Sequence, residues 1–150
     1  MVIADPRSVY IAGQVLQKSL AIYPNKVDGQ QAVSDKKSKL IYSVLDAHPE
    51  SYKVVPDKSA RSRMNICFRV THVCFTTMNH PHVANLNQLE AGVDESEKSF
   101  LKGAVEAGLQ GLKGHRSVGG IRASNYNSIS LEGAEKLAKY IEQFASGPKK

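Results

Sequence analysis

A run of seven residues near the middle of the chain constrains the fold most. In the segment Met64–Val70 every second residue is large and apolar, while Asn65, Cys67 and Arg69 lie between them. An alternation with a period of two indicates a β-strand that buries one face and leaves the other face more open. The chain is therefore expected to contain an antiparallel sheet with one covered face.

Helical segments flank this strand and predict what covers it. The expected helices are Ser8 to about Ile22, Asp28 or Val33 to Ala47, Asp94 to Gly108, and Ser130 to the C-terminal tail at 147–150. Ser8 is expected to cap the first helix, and Leu137 and Ile141 are expected on the buried side of the last. The Asp94–Glu97 segment resembles a capping box, and Phe100 and Val105 are expected on the core-facing side of the helix that it opens. In the second helix, Lys37 is expected to face water with its charged neighbours. The segment between Thr71 and Val93 has no stable period and predicts a long loop.

Three further strands complete the expected sheet. They are Tyr52–Val55, Leu109–Leu112 and Ile121–Tyr126, and a glycine-rich turn between the last two predicts antiparallel pairing. With 150 residues, 41% of them hydrophobic, the chain is long enough to bury a core. The fold class expected is α/β of the α+β type, a small and largely antiparallel sheet covered by helices.

Charge and cysteine content narrow the function classes. The formal net charge is +6, which permits anionic partners without naming one, and two cysteines exclude a disulfide scaffold. We find no apolar run of membrane-spanning length and no secretory signal pattern at the start. A soluble cytoplasmic protein with no membrane partner is the expectation.

The stretch from Ala107 to Leu131 is the most informative for function. It has no aspartate or glutamate but contains Lys113, Arg116 and Arg122, and five of the 11 glycines lie within 108–120. Glycines allow a close backbone turn, and arginine matches carboxylate or phosphate oxygens with two parallel hydrogen bonds. These residues predict an anion-binding loop to which His115 could add a donor. A solvated basic hairpin is the alternative that composition alone leaves open.

Two motifs resemble those of a known family. The segment Gly114–Ser124, followed by Tyr126-Asn127 and by Leu131-Glu132-Gly133, resembles the C-terminal signature of the phosphoserine aminotransferases, which are class V aminotransferases. Arg61–Asn65 resembles a second signature of that family. The resemblance extends over roughly residues 9–145 and is interrupted at 71–93.

The resemblance implies a fold, an activity and a set of site residues. These enzymes use pyridoxal 5'-phosphate and the fold of type I aminotransferases, and they convert phosphoserine and 2-oxoglutarate into 3-phosphohydroxypyruvate and glutamate during serine biosynthesis. The resemblance assigns Arg122 to the substrate α-carboxylate. It assigns His115 and Arg116 to the substrate phosphate at the neighbouring site of a homodimer.

Departures from the family pattern limit this expectation. The enzymes are more than twice as long, no lysine here matches the context of the Schiff-base lysine, and Val2–Arg7 does not match their Asn-Thr-Pro-Pro stretch. The expected organisation is an unmatched start (1–8), a leading helix (9–27), a C-terminal small domain (28–146) and a tail (147–150). We expect no catalytic or cofactor-binding residue in this chain and no transaminase activity from it alone. Asn125 stands where the family usually has an apolar residue, which makes the local packing uncertain.

Two other clusters have less specific patterns. A zinc site from Cys67, His72, Cys74, His80 and His82 matches no common ligand spacing, so no metal is expected. Arg61, Arg63 and Arg69 leave open a non-catalytic basic module that binds anions or nucleic acid. Aromatic residues are only 7% of the chain, so no nucleic-acid partner is expected.

Overall fold

The computed structural model describes residues 5–23, 25–71, 86–115 and 119–147, and of 86–94 it describes the backbone alone. The elements in chain order are α1 (Pro6–Ile22), α2 (Lys26–Ala47), β1 (Tyr52–Val54), a short 3-10 helix (Lys58–Ala60), β2 (Asn65–Val70), α3 (Leu86–Glu106), β3 (Ile121–Ser124) and α4 (Leu131–Ser146).

The three strands form one antiparallel sheet in the order β1-β2-β3. The alternation along β2 is confirmed, because Ile66, Phe68 and Val70 are fully buried while the residues between them are partly exposed. The same alternation places Ile121 and Ala123 of β3 on the buried face. The expected α+β fold is thus confirmed.

Helices α2, α3 and α4 supply the rest of the core. Aromatic rings from the sheet, α3 and α4 meet edge to face, with Phe100 of α3 at the centre of the cluster. The Tyr52 hydroxyl donates to the carbonyl of Ile141 at 2.7 Å, and the Tyr140 hydroxyl donates to that of Phe100 at 2.7 Å. These two bonds tie β1 to α4 and α4 to α3.

Helix α1 lies outside this core and packs against α2. None of its residues is buried. The predicted cap at Ser8 is wrong, since Asp5 precedes the helix and its carboxylate accepts from the backbone N–H of Arg7 at 3.4 Å. Aspartate competes well for this position because its charge also suits the positive end of the helix.

Helix α3 is longer than the sequence pattern predicted. It begins at Leu86, so the predicted loop is wrong for 86–93, and the expected capping box lies within the helix. The rest of that predicted loop, 72–85, lies outside the described residues. Residues with good helix propensity surround the acidic segment, and these extend the helix through it. Val105, predicted to face the core, is 60% exposed.

The predicted strand Leu109–Leu112 is also wrong. Gly108 and Gly111 have φ of 75° and 74°, which interrupts the extended backbone. Antiparallel pairing with β3 is confirmed in a shorter form, as a single bridge between Lys113 and Ile121. The start of α4 is confirmed to within one residue, and Ser130 caps it, with its hydroxyl accepting from the N–H of Gly133 at 3.2 Å.

Candidate functional site

A tight hairpin lies in the connection between α3 and β3, directly before β3. The Arg122 N–H donates to the Leu112 carbonyl at 2.8 Å, and the Gly114 N–H donates to the Gly120 carbonyl at 2.9 Å. Nearer the tip, the Gly119 N–H donates to the His115 carbonyl at 2.7 Å. These bonds place His115 near the tip of the hairpin and Arg122 at its base.

Glycine is required at two positions of this hairpin. A Cβ atom on Gly114 would collide with the carbonyl oxygens of Gly119 and Gly120. Gly120 has a φ of 74°, and a Cβ atom there would lie 2.9 Å from Cδ of Arg69 and 3.1 Å from the Phe68 carbonyl oxygen. The glycines that suggested a close turn therefore form one.

Arg122 differs from the other arginines on the sheet. It lies on the more open face of β3, opposite Cys67 of β2, and is half-buried. Its Nε atom is buried without a hydrogen-bond partner, and no acidic side chain pairs with it among the described residues. A partly desolvated guanidinium without a counter-charge favours the binding of an anion.

Arg69 lies beside the same hairpin but has an acidic partner. Its Nε atom donates to a carboxylate oxygen of Glu97 on α3 at 2.6 Å, and that glutamate is buried. The ion pair lies next to the turn, because Gly120 packs against the Arg69 side chain. Its charge is therefore compensated, unlike that of Arg122.

Of the other two predicted anion-binding residues, the structure describes His115. His115 is exposed on the hairpin that also presents Arg122. Arg116 lies outside the described residues. The structure thus places two of the three predicted site residues on one hairpin.

The second sequence signature has a structural role. Arg61 forms two hydrogen bonds with Asp46, at 2.6 and 2.7 Å, and lies 4.6 Å from the centre of the Tyr42 ring. Arg63 pairs with Asp35 at 3.0 Å. Because each of these cations has an acidic partner on α2, the signature binds the segment that leads into β2 to that helix.

These ion pairs weaken the case for a nucleic-acid interface. An open depression of about 480 Å³ lies between the end of α2, β1 and the short 3-10 helix, and Lys53, Lys58 and Arg61 line it. Asp46 is also part of its lining and lowers the local positive charge. The guanidinium of Arg61 in turn holds the pKa of the Asp46 carboxyl below its usual value.

The sequence prediction for Lys37 is wrong. Its side chain is 1% exposed, and its ammonium donates to the carbonyls of Tyr126 at 2.9 Å and Ile129 at 2.8 Å. Burial lowers the pKa of this lysine. The apolar stripe of α2 could have revealed it, since position 37 lies four residues after Val33 and four before Ile41.

Asn125 is buried, and its side-chain Oδ1 atom has no hydrogen-bond partner among the described residues. It is 3% exposed, its backbone N–H donates to the Met64 carbonyl at 2.7 Å, and its side-chain amide donates to the Arg63 carbonyl at 3.1 Å. The neighbouring Tyr126 is about half exposed, with its hydroxyl donating to the Asn65 side chain at 3.3 Å.

The zinc hypothesis falls mostly outside the described residues. Cys67 lies on β2, whereas His72, Cys74, His80 and His82 belong to the segment that is not described. Within the described ranges, no group of three or more histidine, cysteine or acidic residues could hold a metal ion. No helix of the part searched is both long and apolar enough to cross a bilayer.

Known proteins with similar sequences share one name. The probable phosphoserine aminotransferase of Caenorhabditis elegans is 40% identical in an alignment of 119 positions that covers 77% of this chain and 28% of that protein. The phosphoserine aminotransferase of Saccharomyces cerevisiae is 38% identical in an alignment of 119 positions that covers 79% of this chain and 25% of that protein. The chain is homologous to part of the phosphoserine aminotransferases.

Solved structures agree with this homology. The phosphoserine aminotransferase of Bacillus circulans subsp. alkalophilus superposes with a TM-score of 0.66 and 33% identity, over 89% of this chain and 30% of that one. The pyridoxal-phosphate-bound phosphoserine aminotransferase of Trichomonas vaginalis gives a TM-score of 0.55 and 27% identity, over 75% of this chain and 26% of that one. No family model matches the chain. The chain spans about a quarter of the length of the curated phosphoserine aminotransferases that it matches.

Proposed function

We propose that this chain acts as the C-terminal small domain of a phosphoserine aminotransferase, spanning residues 28–146 behind the leading helix 9–27. In this proposal the domain binds the substrate and leaves the covalent chemistry to another part of the enzyme. The half-buried guanidinium of Arg122, which has no acidic partner among the described residues, is the observation on which the proposal depends.

Arg122 would hold the α-carboxylate of phosphoserine. Two parallel N–H···O bonds fix both oxygens of a carboxylate, and so they also fix the direction of the bond to the α-carbon. The amino group and the α-proton of the substrate would then keep one orientation during the reaction, which lowers the entropic part of the barrier. The hairpin at 114–120 holds the base of β3, and so the Arg122 backbone, in place.

His115 and Arg116 would bind the phosphate of the substrate. His115 is exposed near the tip of the hairpin, where it could reach a ligand held outside this chain. The family resemblance supports a homodimer in which this tip approaches the neighbouring site. We propose a cytoplasmic location, as for the serine-biosynthetic reaction that the resemblance implies.

The described residues do not fit a covalent site for pyridoxal phosphate. Lys37 is the buried lysine among them, and its ammonium is already bound by two carbonyls at 2.8 and 2.9 Å. The other described lysines are exposed. We therefore assign no cofactor-binding residue to this chain and derive no step through the cofactor.

A chimeric enzyme tests the proposal. The matching segment of the S. cerevisiae enzyme would be replaced by the corresponding segment of this chain, and turnover of phosphoserine would be measured. We expect an active chimera in which Arg122→Lys raises KM for phosphoserine about tenfold or more, because lysine cannot form the two parallel bonds. Arg63→Lys is the matched control, since Arg63 pairs with Asp35, and should change KM less than about twofold.

Equal effects of the two substitutions in a chimera that shows cofactor absorbance would contradict the role of Arg122. If the chimera does not fold, titration of the 150-residue chain with phosphoserine by nuclear magnetic resonance decides instead. Saturable shifts that Arg122→Lys weakens, and Arg63→Lys does not, support the proposal, and the absence of such shifts opposes it. With added cofactor and both substrates, the 150-residue chain alone should form no product.

A further inference from the structure

Lys37 is unusual because its charge is buried without an acid. Its side chain is buried on α2, and no ion pair among the described residues includes it. A buried ammonium costs free energy unless hydrogen bonds compensate it. Its two acceptors are the carbonyls of Tyr126 and Ile129, at 2.9 and 2.8 Å. Both of the described hydrogen bonds of the Lys37 ammonium are therefore with one loop.

That loop, residues 125–130, begins three residues after Arg122 and joins β3 to α4. Ser34, one turn before Lys37 on α2, donates to the side-chain carbonyl of Asn127 at 3.2 Å. Helix α2 therefore makes three hydrogen bonds with the loop, two of them from the ammonium. Ser130, at the end of the loop, caps α4.

The loop is also bonded to the segment that leads into β2. Asn125 bonds to the carbonyls of Met64 and Arg63, at 2.7 and 3.1 Å. Contacts from α2 and from the segment before β2 leave the end of β3 little freedom. Only two residues separate Arg122 from this loop, so movement of the loop would move the guanidinium.

We propose that Lys37 is a positioning residue for the anion site: its ammonium holds the 125–130 loop and thereby sets the position of Arg122. The proposal rests on the proposed function for its ligand, but the effect on the loop can be measured without one. A methyl-terminated side chain of similar length would remove both bonds. The Tyr126 carbonyl would keep the N–H of Ile129 as a donor, but the Ile129 carbonyl would lose the ammonium, and the loop should then loosen.

Lys37→Met tests the role, with Lys39→Met as the matched control because Lys39 is exposed on the same helix. In the 150-residue chain, we expect Lys37→Met to speed amide hydrogen exchange in 125–130 at least tenfold and to shift the Nε–H resonance of Arg122. In the chimeric enzyme we expect KM for phosphoserine to rise about tenfold while kcat changes less than twofold. The control should change neither exchange nor KM.

A loss confined to global stability, with the Arg122 resonance and KM unchanged, would overturn the proposal. If Lys37→Met does not fold, Asn127→Ala removes the acceptor of Ser34 from the exposed side of the same loop and should give a smaller change in the same direction; no change would again overturn it. A shift of the Arg122 resonance with no effect of Arg122→Lys on phosphoserine would retain the positioning role and reject the proposed function. If Arg122→Lys weakens phosphoserine binding but Lys37→Met does not shift the Arg122 resonance, the positioning role is rejected and the proposed function is retained.

Discussion

Helices α1 and α4 have similar lengths and opposite environments. Both contain several large apolar residues, yet α1 has none buried whereas α4 buries Ala134, Leu137, Ala138 and Ile141. In α4 these residues fall on one stripe, which faces α2 and the sheet. In α1 the apolar residues Val9, Tyr10 and Ile11 are each more than half exposed. Apolar content alone therefore does not determine burial, because a helix also needs a face that matches a neighbour.

The two helices should differ most in how much stability is lost when one isoleucine in each is replaced by alanine. Ile141 is 0% exposed and Ile11 is 61% exposed. Ile141→Ala should lower the free energy of unfolding by about 2–5 kcal/mol, since it removes buried contacts and leaves a cavity. Ile11→Ala should change it by less than about 0.5 kcal/mol. Urea unfolding followed by circular dichroism measures both, and equal losses would show that α1 belongs to the cooperative core.

The helix caps should give a smaller difference. Ser130→Ala removes the acceptor for the Gly133 N–H at the start of α4 and should cost about 1 kcal/mol. Asp5→Ala removes the corresponding contact of α1, which at 3.4 Å is longer and exposed. Its cost should not appear in the main unfolding transition if α1 frays separately. Amide exchange of the first turn of each helix distinguishes local fraying from global loss.

The smallest expected effect is a dependence on acid. The hydrogen bond from Arg61 lowers the pKa of Asp46, so this pair stabilises the folded state above the ordinary aspartate pKa and loses its effect as the pH falls through the lowered value. Asp46 is partly exposed, and solvent screening limits the contribution to about 1 kcal/mol or less at pH 7. Asp46→Asn should therefore reduce stability at pH 7 and make no difference near pH 2. Asp5→Asn, in the exposed contact with Arg7, is the control from α1 and should show neither effect.

Local patterns were enough to predict much of the fold. The alternation along β2 predicted its buried face, and the apolar stripe of α4 predicted that helix, because in each case neighbouring residues contain the signal. Gly108 and Gly111 made a strand there unfavourable, and their positive φ values explain why the predicted strand is absent. The start of α3 was missed because its polar residues lack the periodicity that a buried helix shows.

The site was predictable in composition and not in geometry. An acid-free segment indicated anion binding, and the structure leaves Arg122 without an acidic partner in the part of the chain that it describes. The same reasoning applied to Arg61 and Arg63 failed to foresee their partners Asp46 and Asp35, which are distant in sequence. The acceptors of Lys37 lie about 90 residues away and were equally out of reach of the sequence pattern, although its place on the apolar stripe of α2 was a local sign of its burial.

The two tyrosines that tie the core together also provide a built-in optical probe. The chain has six tyrosines and no tryptophan, and burial raises the pKa of Tyr52 and raises that of Tyr140 to about 12. In an alkaline titration these two phenols should ionise late, and the folded state should lose stability as the pH rises above the ordinary tyrosine value. Phenolate absorbance that appears abruptly at the end of such a titration would therefore mark the separation of α4 from β1 and α3, without any dye or label.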